Sequence, residues 1–178
     1  LTARLHQAEE KSQRAKSMAE QTRSGHVYII SNVGSFGDDV LKIGLTRRLE
    51  PADRIRELGD ASVPFYFDVH AMVFHEDAPA LERTLHRHFV TAQVNKVNPR
   101  KEFFRVPLTV IRSELEKLGM NVKWTMAAEA KEYRETLAIE KALRESPEKG
   151  REWLESQAQY DPIVELTEDD RADVALSA

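Results

Sequence analysis

The run from His26 to Arg48, "HVYIISNVGSFGDDVLKIGLTRR", decides how this chain is read. "HVYIIS" (26–31) and "LKIGLT" (41–46) are apolar runs on either side of "NVGSFGDD" (32–39), a loop of turn formers. That pattern predicts two strands joined by a long turn. Strand alternation puts Val27 and Ile29 on one face, Tyr28 and Ile30 on the other. On the second strand Leu41, Ile43 and Leu45 share a face, and Lys42 and Gly44 share the opposite one. A sheet explains the apolar residues but not Tyr28, Lys42, Arg47 and Arg48 gathered around a glycine. A phenol near pKa 10 is a poor base at neutral pH, and a neighbouring ammonium lowers that value. Gly44, lacking a side chain, leaves room for the close approach of a substrate backbone. The plainer alternative is a half-buried strand tyrosine beside a solvated lysine. The Gly34–Gly37 loop lacks a Walker lysine pattern and reads as an ordinary hairpin turn.

Working outward, "EPADRIRELG" (50–59) predicts a short helix. Pro51 suits its first turn, Glu50 and Asp53 lie near its positive end, and Gly59 suits its C-cap. Arg54 sits beside the inward residues Ile55 and Leu58, while Arg56 points away. Its guanidinium either covers the core edge with its stem or is held over a phosphate, which its planar fork fits. "FYFDVHAMVF" (65–74) predicts a third strand, with Phe65, Phe67, Val69, Ala71 and Val73 on one face and Asp68 and His70 on the other.

"DAPALERTLHRHF" (77–89) predicts a helix capped by Asp77, with Pro79 in its first turn and a core stripe of Ala78, Leu81, Leu85 and Phe89. Glu82 and His86, four apart, stand one above the other at the border of that stripe. A carboxylate there is costly unless it is paired, hydrogen-bonded or metal-bound. The alternative is an i,i+4 contact on a solvated face. "TAQVNKVNPR" (91–100) reads as a polar loop and "KEFFRV" (101–106) as a short apolar piece. "PLTVIRSELEKLG" (107–119) is a helix ending at Gly119, and "MNVKWT" (120–125) is a candidate edge strand. Arg100 and Lys101 either contact a phosphate or flank a buried anchor. His70, His75 and His88 are scattered, and no zinc site is expected of them.

The 178 residues suffice for one compact domain with accessory helices. The absence of cysteine excludes disulfides and thiolate zinc sites and fits a reducing compartment. No apolar run is long enough to span a bilayer, and no signal peptide opens the chain. Leu1 begins in the middle of a charged helical pattern. The sequence therefore reads as a fragment of a longer protein, whose missing N-terminal region would carry another domain or a membrane anchor. Residues 1–24 show a thin seam of Leu1, Leu5, Ala8, Ala15 and Met18. They read as the end of a longer helix or coiled coil able to self-associate, or as a solvated linker helix.

The net charge of −4 is unevenly spread. Residues 26–125 carry fourteen Lys/Arg against thirteen acids, and residues 126–178 carry seven against fourteen. Overall acidity excludes a passive nucleic-acid coat but not an enzyme with a local phosphate cleft. "MAAEAKEYRETLAIEKALRE" (126–145) predicts a helix, Pro147 separates it from "EKGREWLESQAQ" (148–159), and the acidic tail from Asp161 is expected to be mobile. The organisation expected is a helical linker at 1–24, a catalytic-type domain at 25–125 and a helical extension at 126–178. The fold class is α+β: a small antiparallel three-stranded sheet flanked by helices, with an N-terminal helix and a C-terminal helical extension.

Residues 25–106 together resemble the GIY-YIG nuclease superfamily. "HVYII" stands at the first motif, with Tyr28 as its tyrosine. "KIGLT" stands at the second, with Gly44 as the motif glycine and Lys42 where many members have tyrosine. Arg54 matches the arginine of the following helix, and Glu82 the metal-binding glutamate. "KIGLTRR", "RIREL", "LERTLHRHF" and "EFF" resemble more narrowly a phage-derived KIG-T branch, and residues 11–25 resemble its join to an upstream coiled-coil domain of unknown function. Leu58 departs from the Tyr or His common one turn after the helix arginine. A late asparagine is also common, with Asn95, Asn98 and Glu102 near the expected place.

The resemblance implies a cytoplasmic endonuclease dependent on Mg2+ or Mn2+, hydrolysing DNA in defence against phage and membrane-associated only through the missing region. Glu82 would hold the ion, Tyr28 would take a proton from water with Lys42 lowering its pKa, and Arg54 would stabilise the transition state. His86 would orient the water or protonate the leaving group. Gly44, Thr46, Arg47, Arg100 and Lys101 would contact the substrate. The rival readings are a catalytically weak nucleic-acid-binding module and a protein-interaction module.

Overall fold

The computed structural model describes residues 7, 9–14, 18 and 23–160. Leu1, Leu5, Ala8 and Ala15 of the N-terminal seam, and the acidic tail from Asp161, lie outside the described residues. The chain divides into two units, residues 1–130 and residues 131–178.

In the first unit the apolar hairpin forms as its alternation dictates. β1 (Gly25–Ser31) and β2 (Val40–Thr46) pair antiparallel, with Tyr28 opposite Gly44 and Ile30 opposite Lys42. The turn between them is more structured than a plain loop. Asn32 accepts a hydrogen bond from the Ser35 N–H and caps one helical turn, α1 (Val33–Phe36), before Gly37 at φ +89°. β3 (Asp68–His75) lies on the other side of β1.

The sheet has four strands rather than the expected three. β4 (Phe103–Arg105), from the piece "KEFFRV", pairs with Val40–Lys42, giving the order β3-β1-β2-β4. Three residues are too few to show a strand period, and their partner lies some 60 residues away in sequence. "MNVKWT" forms no strand. It is held instead by the Thr125 N–H donating to the His70 carbonyl at 2.9 Å.

A second correction concerns β3. The register shifts at Ile29/Ile30, so that Ile29 faces Ala71 and Ile30 faces Val69, leaving His70 as the extra residue of a β-bulge. The bulge exchanges the faces. Ala71 and Val73 pack with Val27 and Ile29, whereas Phe67 packs with Tyr28 and Ile30. Strict alternation cannot foresee an inserted residue, because one extra residue moves everything beyond it to the opposite face.

The larger core lies on the Val27–Ile29–Ile43 face, covered by α3 (Ala78–His88) and α4 (Leu108–Lys117) through Leu81, Leu85, Phe89, Ile111 and Leu115. The Asp77 carboxylate caps α3 by accepting from the Ala80 N–H at 3.1 Å, as the sequence pattern predicts. On the opposite face α2 (Pro51–Ser62) lays Ile55 and Leu58 against Tyr28, Ile30 and Met72. This helix runs three residues past Gly59. That glycine is not a cap; a Cβ there would come within 2.9 Å of the Tyr66 ring.

The described part of the second unit holds α5 (Lys131–Glu145) and α6 (Pro147–Tyr160), separated where Pro147 predicts. α5 begins five residues later than expected, after Ala130 at φ +43°, a left-handed conformation that a helix cannot include. Among the described residues no helix is long and apolar enough to cross a membrane.

His70 pins three segments together. It is 4 % exposed, its Nδ1 lies 2.6 Å from the Thr125 carbonyl, and its Nε2 lies 2.8 Å from the Ser31 hydroxyl. The carbonyl only accepts, so Nδ1–H donates to it and Nε2 accepts from Ser31. His70→Ala strands both partners and leaves a cavity. It should cost about 2–4 kcal/mol and lower the melting temperature by roughly 5–15 °C. A shift below about 2 °C in a thermal melt would show that the ring is not a structural pin.

Candidate active site

The site grows from the close pairing of Tyr28 with Gly44. A Cβ at residue 44 would lie 2.4 Å from the Tyr28 hydroxyl oxygen and 2.5 Å from Cζ. The space that glycine opens is therefore filled by the tyrosine's own ring, which lies across β2 and is 2 % exposed.

β4 is short and ends its pairing at Lys42, with one further backbone bond from the Ile43 N–H to Glu102. The Ile43 carbonyl beyond it is met by His86 of α3, whose Nε2 lies 2.9 Å away and must donate. The His86 ring also packs on Phe104 at 5.1 Å between centroids. His86 is a strut between α3 and the sheet, a structural part beyond the water-orienting or proton-donating role that the resemblance implies.

That strut places Glu82, one turn earlier on α3, at the same sheet edge. Burial first, then the Glu102 carboxylate, push the Glu82 carboxyl up to about 7, while Lys42, Arg83 and Arg47 act in the opposite sense. The Tyr28 phenol is pushed up to about 12, chiefly by burial. The charge and hydrogen bond of Arg54 lower it, and Glu102 and Glu82 raise it. Tyr28, Lys42, Arg54, Glu82, Glu102 and Arg47 thus belong to one electrostatic cluster.

Lys42 is oriented differently from the expectation. It lies diagonal to Tyr28, and its Nζ, in a residue only 9 % exposed, meets the Glu102 carboxylate at 2.8 Å. The same ammonium lies 5.1 Å over the Phe103 ring. Its charge is directed to a carboxylate, and the phenol keeps a raised pKa rather than a lowered one.

A second carboxylate escaped the sequence reading. Glu57, one turn after Arg54 on α2, pairs with Arg48 and lies 3.8 Å from the Arg54 guanidinium. Its hydrogen bond from Arg48 holds its carboxyl below the usual range. The Thr46 hydroxyl is buried and accepts from the Arg48 N–H at 3.2 Å, fixing the turn that presents Arg47 and Arg48. Arg100 and Lys101 are exposed on a separate turn, built by Asn95 and Asn98 accepting from following N–H groups. Both candidate asparagines are therefore turn residues, and Glu102 is the late residue that reaches the cluster. Nothing in its local pattern announces this, because its partner Lys42 is 60 residues distant.

Among the described residues no three His, Asp or Glu side chains converge as a metal-ligand group. A magnesium-type ion needs less than that: one or two carboxylates, with water completing the shell. Glu82 fits this demand, since a carboxylate disfavoured by burial and by Glu102 is relieved by a nearby cation.

The sequence model of the T5orf172 domain matches residues 25–119, from the first residue of β1 to just beyond α4. The chain belongs to the T5orf172 family. T5orf172 is a phage-associated domain found in GIY-YIG-like endonucleases. The match contains every strand, the Tyr28–Gly44 pair and the whole charge cluster, and it leaves α5 and α6 outside the T5orf172 domain. No curated protein and no solved structure matches the chain.

Two predictions concern this site. Gly44→Ala should cost about 1–3 kcal/mol through overpacking against Tyr28, and far less in a Tyr28→Ala background. Equal costs in both backgrounds, measured by denaturant unfolding, would refute the proposed contact. For Glu82 the folded value near 7 exceeds the ordinary 4.5, so the folded state holds the proton more tightly. Its contribution to stability is present in full below about pH 4.5 and is lost as pH rises through 7. Glu82→Gln, which mimics the protonated acid, should raise the melting temperature by about 2–4 °C at pH 8, given solvent screening of a partly buried group. Little change is expected at pH 4.5. A pH-independent difference would argue against the shift.

Proposed function

We propose that this protein is a metal-dependent endonuclease that hydrolyses DNA phosphodiester bonds, built on the phage-derived KIG-T branch of the GIY-YIG pattern. The observation that carries the reading is the meeting of Tyr28, Arg54, Lys42 and Glu82 at one sheet edge, although they come from β1, α2, β2 and α3. Glu82 would hold Mg2+ or Mn2+. The bound ion would offset charge on the scissile phosphate and leaving oxygen.

The chain's own residues supply the remainder. Arg54, already hydrogen-bonded to the phenol, is available to a phosphate oxygen and steadies the charge that builds during attack. Arg47 and Arg48 extend the cationic rim along the strand-to-helix turn. Lys42 holds Glu102 in place and adds positive charge beneath the phosphate. Tyr28 exchanges a proton with the attacking water. Its phenol is protonated at neutral pH, so proton uptake requires the phenolate that higher pH and the incoming charges favour.

The same raised pKa favours a second reading, in which the domain binds DNA and cleaves it poorly. In either case phosphate contacts give no sequence information, and targeting would come from elsewhere in the protein. The biological role that fits best is cytoplasmic defence against phage DNA, in a longer protein that joins this domain to an upstream coiled coil.

Supercoiled plasmid incubated with Mg2+ or Mn2+ tests the proposal. Wild type should nick or linearise it, Glu82→Ala should lose at least about 100-fold, and chelation should abolish the activity. The apparent affinity for the ion should fall as pH drops below about 7, because a proton then competes with the cation for Glu82. Binding without cleavage by folded wild type would leave the DNA-binding reading standing instead.

A further inference from the structure

Beside the charge cluster, on the Tyr28–Lys42–Gly44 side of the sheet, lies an open cleft of about 300 Å3. Its walls include Phe36, Phe103, Val94 and Val40, and Asn95, Lys101 and Arg105 contribute its polar groups. Register explains the placement: Val40 and Lys42 share a strand face, and their partners Arg105 and Phe103 continue it across β4. The cleft is at the small end of the roughly 300–1,000 Å3 range of small-ligand sites.

The composition of these walls is unusual for a solvent-facing surface. Phe36 and Phe103 lie 4.9 Å apart between centroids, tilted at 53°, and Phe36 remains 37 % exposed although it stands at the tip of the hairpin. Val94 is 46 % exposed. Lys101 has no ion-pair partner among the described residues, and Arg105 is held in place by both oxygens of Asp39 at 3.0 and 2.8 Å. Asn95 accepts through Oδ1 from the Val97 and Asn98 N–H groups, so its Nδ2 remains as a donor without a protein partner among the described residues.

We propose that this cleft is a stacking subsite for one unpaired nucleobase of the DNA strand, adjacent to the scissile phosphate. The inference rests on the nuclease reading of the neighbouring cluster and adds the substrate class to it. Continuity supports it: Phe103 forms the cleft floor and also lies beneath the Lys42 ammonium, 5.1 Å from Nζ, so cleft and phosphate site share a residue pair. The chemistry supports it as well. Aromatic faces accept any base in a sequence-tolerant way, and cations beside them follow the strand backbone. The Asn95 Nδ2 offers a hydrogen bond to a base-edge acceptor. A base stacked inside a duplex cannot enter the cleft, so the site selects strands with an unpaired or extruded base. The preferred substrate is therefore single-stranded, gapped or branched DNA rather than continuous duplex.

The test is binding in the presence of EDTA, which removes cleavage from the readout. The probes are a 15-nucleotide single strand carrying one 2-aminopurine and the same strand in a duplex, used with the full 178-residue chain. The single strand should bind at least about tenfold more tightly than the duplex, with 2-aminopurine fluorescence quenched on binding at one position of the label. Phe36→Leu keeps apolar bulk but removes the π-face. It should weaken single-strand binding by about tenfold, leave duplex binding unchanged and be rescued by Phe36→Trp. Lys101→Ala should weaken both DNAs and reduce the salt slope by about one. Equal affinity for strand and duplex, unchanged fluorescence, or wild-type binding by Phe36→Leu would each overturn the subsite. If plasmid cleavage still required Glu82, the nuclease reading would survive that result. Binding of neither DNA would overturn the subsite, and the absence of plasmid cleavage with Mg2+ or Mn2+ as well would overturn both.

Discussion

The structure depends on a contact that only glycine permits. The Tyr28 ring lies across β2 over Gly44, with its hydroxyl where any other residue would have its Cβ. From this follow the burial of the phenol, its elevated pKa and the reach of Arg54 to its oxygen. The contact also fixes what the sheet can present. With the ring lying along the strand, charged groups must reach the site from the edge, and β4, by pairing only with Val40–Lys42, leaves that edge open to α3.

The second organising feature is that the site's main cations already have partners. Lys42 holds Glu102, and Arg48 and Arg54 share Glu57. The buried Lys42 has a carboxylate of its own, whereas the more exposed Arg48 and Arg54 divide one between them. An anion arriving at Arg54 would meet a guanidinium that already faces Glu57 at 3.8 Å while remaining 41 % exposed. Exchange of one anion for another reduces the gain on binding but keeps the guanidinium oriented between encounters. Glu82 differs from Glu57, since burial and then another carboxylate disfavour its charge, and it has most to gain from a cation.

Much of this was legible in the sequence, and the gaps have definite causes. The hairpin, the α3 cap at Asp77 and the stripe Ala78–Leu81–Leu85–Phe89 follow from local periodicity and capping chemistry. The meeting of Tyr28, Arg54 and Glu82 followed from the family resemblance rather than from spacing. What local pattern could not show was pairing at long range: β4, the Lys42–Glu102 bond, and the bulge at His70 that turns Phe67 away from Ala71. The partners of Lys42 and His86 were hidden for the same reason. Each side chain is claimed by a partner that sequence distance conceals, a carboxylate in one case and the Ile43 carbonyl in the other.

The late position of Glu102 has a consequence for the protein's synthesis. Lys42 leaves the ribosome 60 residues before the carboxylate that anchors it, and β4 follows that carboxylate. A growing chain can close the β1–β2 hairpin early, because its contacts are local. The edge that completes the charge cluster has to wait for the chain beyond Arg105 to emerge. Until then Lys42 lacks both Glu102 and the Phe103 ring. Ile111 and Leu115 of the core follow β4 as well, so core and charge cluster are completed together, near the end of the domain's synthesis.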